Sequence, residues 1–142
     1  MTSEIFKYEK RYWYPHMMPE DVAIWERFIA RYPDAYDGCE YDVPVGTLPN
    51  FDVKLSEGTE DQTYKLYKKK IDVVAYSKED IDIIELKPNA GASAVGQIKM
   101  YRSLFIKEFS PPIAPRCIII TDKVSDDVRE FAREEGVLFT VV

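Results

Sequence analysis

Two short stretches carry the residues whose types and spacing point to chemistry: Ile71-Asp72-Val73-Val74 and Ile83-Ile84-Glu85-Leu86-Lys87. Each places charge inside a run of β-branched and aliphatic residues, the composition of a buried strand. Residues two apart on a strand face the same way, so Glu85 and Lys87 project from one face with Ile81 and Ile83. Asp72 falls in the neighbouring strand, so two acids and a lysine converge at the ends of two core strands. Charges are almost never deep in a sheet unless paired or functional. Two chemistries fit. One is a structural ion pair of Lys87 with Asp72 or Glu85. The other is a magnesium site, since Mg²⁺ takes one or two carboxylates plus waters and phosphate oxygens. A lysine beside such an ion orients an attacking water and stabilises charge developing on a phosphate.

The elements that must position these residues follow from periodicity. Leu66 to Tyr76 and Ile81 to Lys87 read as strong strands joined by the turn Ser77-Lys78-Glu79-Asp80, a hairpin. Pro88 holds Lys87 extended. Before them, Pro19 to Arg31 reads as a helix, with Pro19 in its first turn and Glu20 and Asp21 at the positive end of its dipole. Val22, Trp25, Ile29 and Tyr32 form its apolar stripe, with Glu26 at the stripe's edge. Cys39 to Val45 reads as a strand. Gly46 to Asp61 reads mostly as loop, with a short strand around Phe51 to Leu55. After the hairpin, Ser93 is placed to cap a helix running to Phe109, with Ala94, Ile98, Tyr101 and Phe105 inward. Gln97 and Tyr101, four apart, share a face of it, so Gln97 is expected to be a semi-buried polar group in need of a partner. Arg116 to Thr121 reads as a strand covered on both faces, Ser125 to Glu135 as an amphipathic helix capped by Gly136, and Val137 to Val142 as a last strand. The expected class is α/β with a mixed sheet, the hairpin antiparallel and the later strands parallel.

Residues 1–18 read as an aromatic arm, with Tyr8, Tyr12, Trp13 and Tyr14 interleaved with Lys7, Lys10 and Arg11, and residues 19–142 as a single domain. The arm suits either packing over the core or a base-stacking or partner surface.

Composition narrows the function. The chain has 142 residues, enough for one domain that folds without disulfides or metal. No stretch approaches a membrane span and the polar start shows no secretory pattern, so a cytoplasmic location is expected. Two cysteines in unrelated contexts exclude a zinc ribbon, and a single histidine argues against a His-based metal cage or a Ser-His-Asp triad. A formal net charge of -6 argues against gripping duplex DNA over a broad face, leaving a local patch or metal-offset carboxylates. Lys65, Lys68, Lys69 and Lys70, leading into Asp72 beside Tyr64 and Tyr67, form such a patch or a solvated strand entrance. Gly91 to Ile98 has P-loop glycine spacing but lacks the lysine and Ser/Thr that loop requires.

Asp72 with Glu85-Leu86-Lys87 resembles the PD-(D/E)XK nuclease superfamily, and the expected element order over residues 19–121 resembles its restriction-endonuclease-like core, with an appended C-terminal helix and strand. The resemblance extends to Glu26, matching an acidic helix residue that assists the metal, and to Gln97 and Tyr101, matching the Q-x-x-x-Y pattern of the RecB-like and lambda-exonuclease-like branches. Ile71, where the motif has proline, and Val73, where some RecB-like members carry arginine, depart from it. The resemblance implies phosphodiester hydrolysis, with DNA as the expected substrate. Asp72, Glu85 and the Leu86 carbonyl would hold Mg²⁺ or Mn²⁺, Lys87 would position the water, and Gln97 and Tyr101 would orient substrate or site. The alternative is a non-catalytic member of the fold acting as a nucleic-acid-binding or protein-assembly module. A homodimer or larger assembly through the aromatic arm is a further expectation.

Overall fold

The computed structural model describes residues 4–47 and 69–142. Six strands form one sheet whose spatial order is the chain order: β1 (Phe6–Lys7), β2 (Gly38–Val45), β3 (Lys69–Tyr76), β4 (Ile81–Leu86), β5 (Arg116–Thr121) and β6 (Val137–Val141). The first four pair antiparallel and the last three parallel. The two parallel connections carry helices α2 (Ala92–Phe109) and α3 (Asp126–Glu134). Both pack on one face of the sheet, where Ile98, Tyr101 and Phe105 of α2 and Ala132 of α3 meet Ile83, Cys117 and Ile119. Helix α1 (Pro19–Arg31) covers the other face with Ile24, Trp25, Phe28 and Ile29 against Tyr41, Ile84, Ile118 and Ile120. Alternate residues of β4 and β5 therefore serve two cores, which explains their unbroken hydrophobic runs.

The α/β mixed-sheet expectation and the hairpin hold. Several details differ. The part of the expected Leu66–Tyr76 strand before Lys69 and the expected Phe51–Leu55 strand lie outside the described residues. Helix α2 starts one residue before Ser93, behind Gly91, with no side-chain cap. In α3 the expected Gly136 ends the helix at φ +74°, and at its start the Ser125 hydroxyl accepts from the Val128 N–H at 3.3 Å, a cap that was not expected. The buried stripe of α1 runs through Ile24, Trp25, Phe28 and Ile29, while Tyr32 is exposed. The aromatic arm contributes an edge strand and two core residues. Tyr8 and Tyr14 are buried, and the Tyr8 hydroxyl donates to the Tyr32 carbonyl at 2.6 Å.

One departure from regular sheet geometry matters for the site. Tyr41 belongs to the core under α1, yet Val43, two residues on, belongs to the core under α2. Strand β3 switches likewise between Ile71 and Val73. The register Tyr41↔Val73 and Val43↔Ile71 sets Asp42 opposite Asp72 at the switch. Asp42 has φ +56°, a left-handed conformation that an L-residue adopts at a cost of about 1–2 kcal/mol.

Candidate active site

The switch opens the sheet where the acids lie. The β3–β4 ladder stops at Val73↔Ile84, so Asp72 and Glu85 come next in register without backbone pairing. Side chains take over: the Leu86 N–H donates to Asp72 Oδ2 at 2.9 Å, and the Asp72 N–H reaches Glu85 Oε1 at 3.4 Å. These two bonds hold the carboxyls side by side. Burial pushes both pKa values up. For Glu85 the repulsion of Asp72 adds to it, whereas the bond from Leu86 N–H pulls Asp72 part of the way back.

A cleft of about 560 Å³ opens at this end of β4. Its walls are Met18 with the first turn of α1 (Pro19, Glu20, Asp21), Asp72, the stretch from Glu85 to Pro88, and Gln97 of α2. Lys87 is exposed, and its ammonium makes no ion pair among the described residues. A structural salt bridge of Lys87 to Asp72 or Glu85 is therefore absent. The charge of Lys87 instead lowers the Asp21 pKa, against the larger raising effects of burial and neighbouring Glu20.

The sheet order, the parallel crossovers and the acids at the open end of β4 permit comparison with solved structures. The fold is shared with repair endonucleases. A repair endonuclease from Pyrococcus abyssi superimposes with TM-score 0.51 over 90% of this chain and 49% of its own, at 19% identity. EndoMS in complex with double-stranded DNA gives TM-score 0.50 over 94% and 48%, at 16% identity. A protein of unknown function gives TM-score 0.52 over 83% and 56%, at 16% identity. The chain thus spans about half the length of the solved chains it matches. It matches no protein-family model and no curated protein.

The structure brings Asp72, Glu85, Leu86, Lys87 and Gln97 to one cleft. Tyr101 stands behind them. It is buried, its hydroxyl accepts from Gln97 Nε2 at 2.8 Å, and the charges of Glu85 and Asp72 add to the raising effect of burial on its pKa. Gln97 itself is exposed, contrary to expectation, because α2 turns that side chain toward the cleft mouth. Glu26 does not line the cleft. Its carboxylate accepts from the Tyr14 hydroxyl at 3.1 Å, and the acids that α1 presents are Glu20 and Asp21. The reason is helical register: Asp21 precedes Trp25 by four residues and heads the buried stripe, whereas Glu26 lies about 140° away from Asp21 around the axis. Spacing to Trp25 was the signal for Asp21 in the sequence. Lys70 is turned onto Asp42 at 3.4 Å, Lys69 is exposed, and Lys65 and Lys68 lie outside the described residues.

Among the described residues no cluster of three or more His, Cys, Asp or Glu side chains is arranged around a metal position. The donor set is the half-buried Asp72 carboxylate and the buried Glu85 carboxylate, with Leu86 lining the cleft beside them. An all-oxygen set of two carboxylates, short of a complete shell, suits a hard divalent ion that keeps waters and takes phosphate oxygens. The upward shift of both pKa values fits the same picture, since a cation there would supply the positive charge the pair lacks. No helix of the described residues is long and apolar enough to cross a membrane.

Proposed function

We propose that this chain is a metal-dependent nuclease of the PD-(D/E)XK type that hydrolyses phosphodiester bonds, with DNA as substrate. The observation that carries the reading is the Asp72–Glu85 pair, held together by hydrogen bonds to the backbone and facing an open cleft beside Lys87, which makes no ion pair among the described residues. Holding two like charges together out of water is costly unless a cation or reaction makes use of them. The fold shared with repair endonucleases supports it, and the EndoMS structure was solved with double-stranded DNA.

A bound Mg²⁺ or Mn²⁺ would polarise the scissile phosphate and lower the pKa of its water. Asp72 and Glu85 would act as its ligands. The Lys87 ammonium, free to turn into the cleft, would orient the attacking water and meet charge growing on the phosphate. Asp21 would hold Lys87 toward the cleft, and Gln97, fixed by the Tyr101 hydroxyl, would hold the substrate backbone.

The test is cleavage of single-stranded, double-stranded and branched DNA, and of RNA, with Mg²⁺, Mn²⁺ or EDTA. Glu85→Ala and Lys87→Ala are run beside the parent. Metal-dependent cleavage by the parent, lost in both variants, is the expected result. Absence of cleavage by the parent on every substrate, or equal cleavage by the variants, overturns the reading.

A further inference from the structure

The arm presents two aromatic rings to solvent in a way packing does not explain. Tyr12 and Trp13 are 107% and 61% exposed, while their neighbours in the alternation, Tyr8 and Tyr14, are buried. The loop carrying them is stapled at both ends. On one side β1 pairs with β2 and Tyr8 packs edge-on against Trp25. On the other, the Tyr14 hydroxyl accepts from the Arg11 N–H at 2.9 Å and donates to Glu26, while its ring meets Tyr41. The Arg11 guanidinium lies over the Phe6 ring at 4.2 Å. The chain between Arg11 and Tyr14 is thus pinched into a bend with Tyr12 and Trp13 at its outside.

Charge and position point the same way. From Lys10 to Pro19 no acidic side chain occurs, in a chain of net charge -6, and neither Lys10 nor Arg11 makes an ion pair among the described residues. Met18 and Pro19, at the loop's end, line the cleft. Five residues separate Trp13 from Met18, at most about 17 Å of chain. Exposed aromatics beside cations are what unpaired bases stack on, because every base has a π-face and the cations meet the phosphates. Paired bases inside a duplex offer no such face.

We propose that the Lys10–Met18 loop is a stacking platform for unpaired nucleobases, with Tyr12 and Trp13 as its rings, leading a single-stranded segment toward the Asp72–Glu85 cleft. The proposal rests on the nuclease reading for the cleft and adds the substrate class. Glu26 becomes a positioning residue for the platform, acting through Tyr14.

The experiment uses the full chain in EDTA, so that no cleavage enters. Trp25 is fully buried, so quenching of tryptophan fluorescence reports Trp13. A short oligothymidylate is expected to quench it and a blunt duplex of equal length to bind more weakly. Affinity for labelled oligothymidylate, read by anisotropy, is expected to fall about ten-fold in Tyr12→Ala and in Trp13→Ala. Trp13→Ala binding as tightly as the parent, or the duplex quenching as strongly as the single strand, overturns the proposal. So does a parent dimer that Trp13→Ala dissociates without change in oligonucleotide binding, which assigns the rings to a second copy of the chain. Quenching without cleavage in the metal assay removes the nuclease reading alone, and cleavage without quenching removes the platform alone.

Discussion

Replacing Glu85 with glutamine should stabilise the metal-free protein, and the gain should grow with pH. In the folded chain Glu85 is pushed up to about 10 by burial and by Asp72, so the pair keeps a proton across the neutral range. Unfolded glutamate and aspartate lose theirs near pH 4. Between these limits the folded state binds one proton more than the unfolded state, so stability falls as pH rises. One retained proton costs about 1.4 kcal/mol per pH unit, about 3 kcal/mol between pH 5 and pH 7. Glutamine supplies the neutral partner permanently: its Oε1 still accepts from the Asp72 N–H and its Nε2 donates to the Asp72 carboxylate. The melting temperature of Glu85→Gln in EDTA, relative to the parent, should therefore climb by roughly 6–12 °C from pH 5 to pH 7. Saturating Mn²⁺ should reverse the order, since a ligand at a thousand times its Kd adds about 4.1 kcal/mol to the parent alone. Thermal melts across pH, with and without metal, measure both effects. A difference in melting temperature that stays flat from pH 5 to pH 8 would refute the retained proton, and with it the argument for a cation there.

At the sheet switch, Asp42→Gly should stay within about 0.5 kcal/mol of the parent in urea denaturation, while Asp42→Val should lose about 2 kcal/mol, because only glycine takes φ +56° without strain. Asp21→Asn should weaken Mn²⁺ binding about ten-fold in titration calorimetry, and Glu26→Gln should leave it within about two-fold, since Asp21 lines the cleft and Glu26 does not. Away from the site, Asp82 is fully buried and held by Arg116 at 2.7 and 2.8 Å and by the Tyr36 hydroxyl at 2.6 Å. Arg116→Ala leaves that carboxylate without its cation and should cost about 3 kcal/mol or more in chemical denaturation.

The hairpin, the two crossover helices and the convergence of Asp72 with Glu85 were legible because each rests on local periodicity and turn chemistry. Three features were not. The face switch at Asp42 has no glycine to mark it, so strict alternation through Tyr41 and Val43 was the natural reading. On α1 the acids that line the cleft are Glu20 and Asp21, where Glu26 was expected, because the buried stripe of that helix runs through Ile24, Trp25, Phe28 and Ile29 and not along the Val22–Ile29 line. Gln97 looked half-buried beside Ile98 and Tyr101, yet its exposure depends on the cleft, which forms only when α2 meets the end of β4. Each miss concerns how elements meet, a tertiary matter that spacing within one element does not encode.

The sheet's strictly sequential order has a practical consequence for engineering. With β1 at one rim and β6 at the other, the described ends of the chain stand five interstrand spacings apart, roughly 24 Å. A linker closing them would have to cross the whole sheet over α1 or over α2 and α3. Circular permutation is therefore disfavoured here, and because β4, β5 and β6 run parallel, a fusion after Val141 emerges at the cleft end of the sheet, two strands from Leu86.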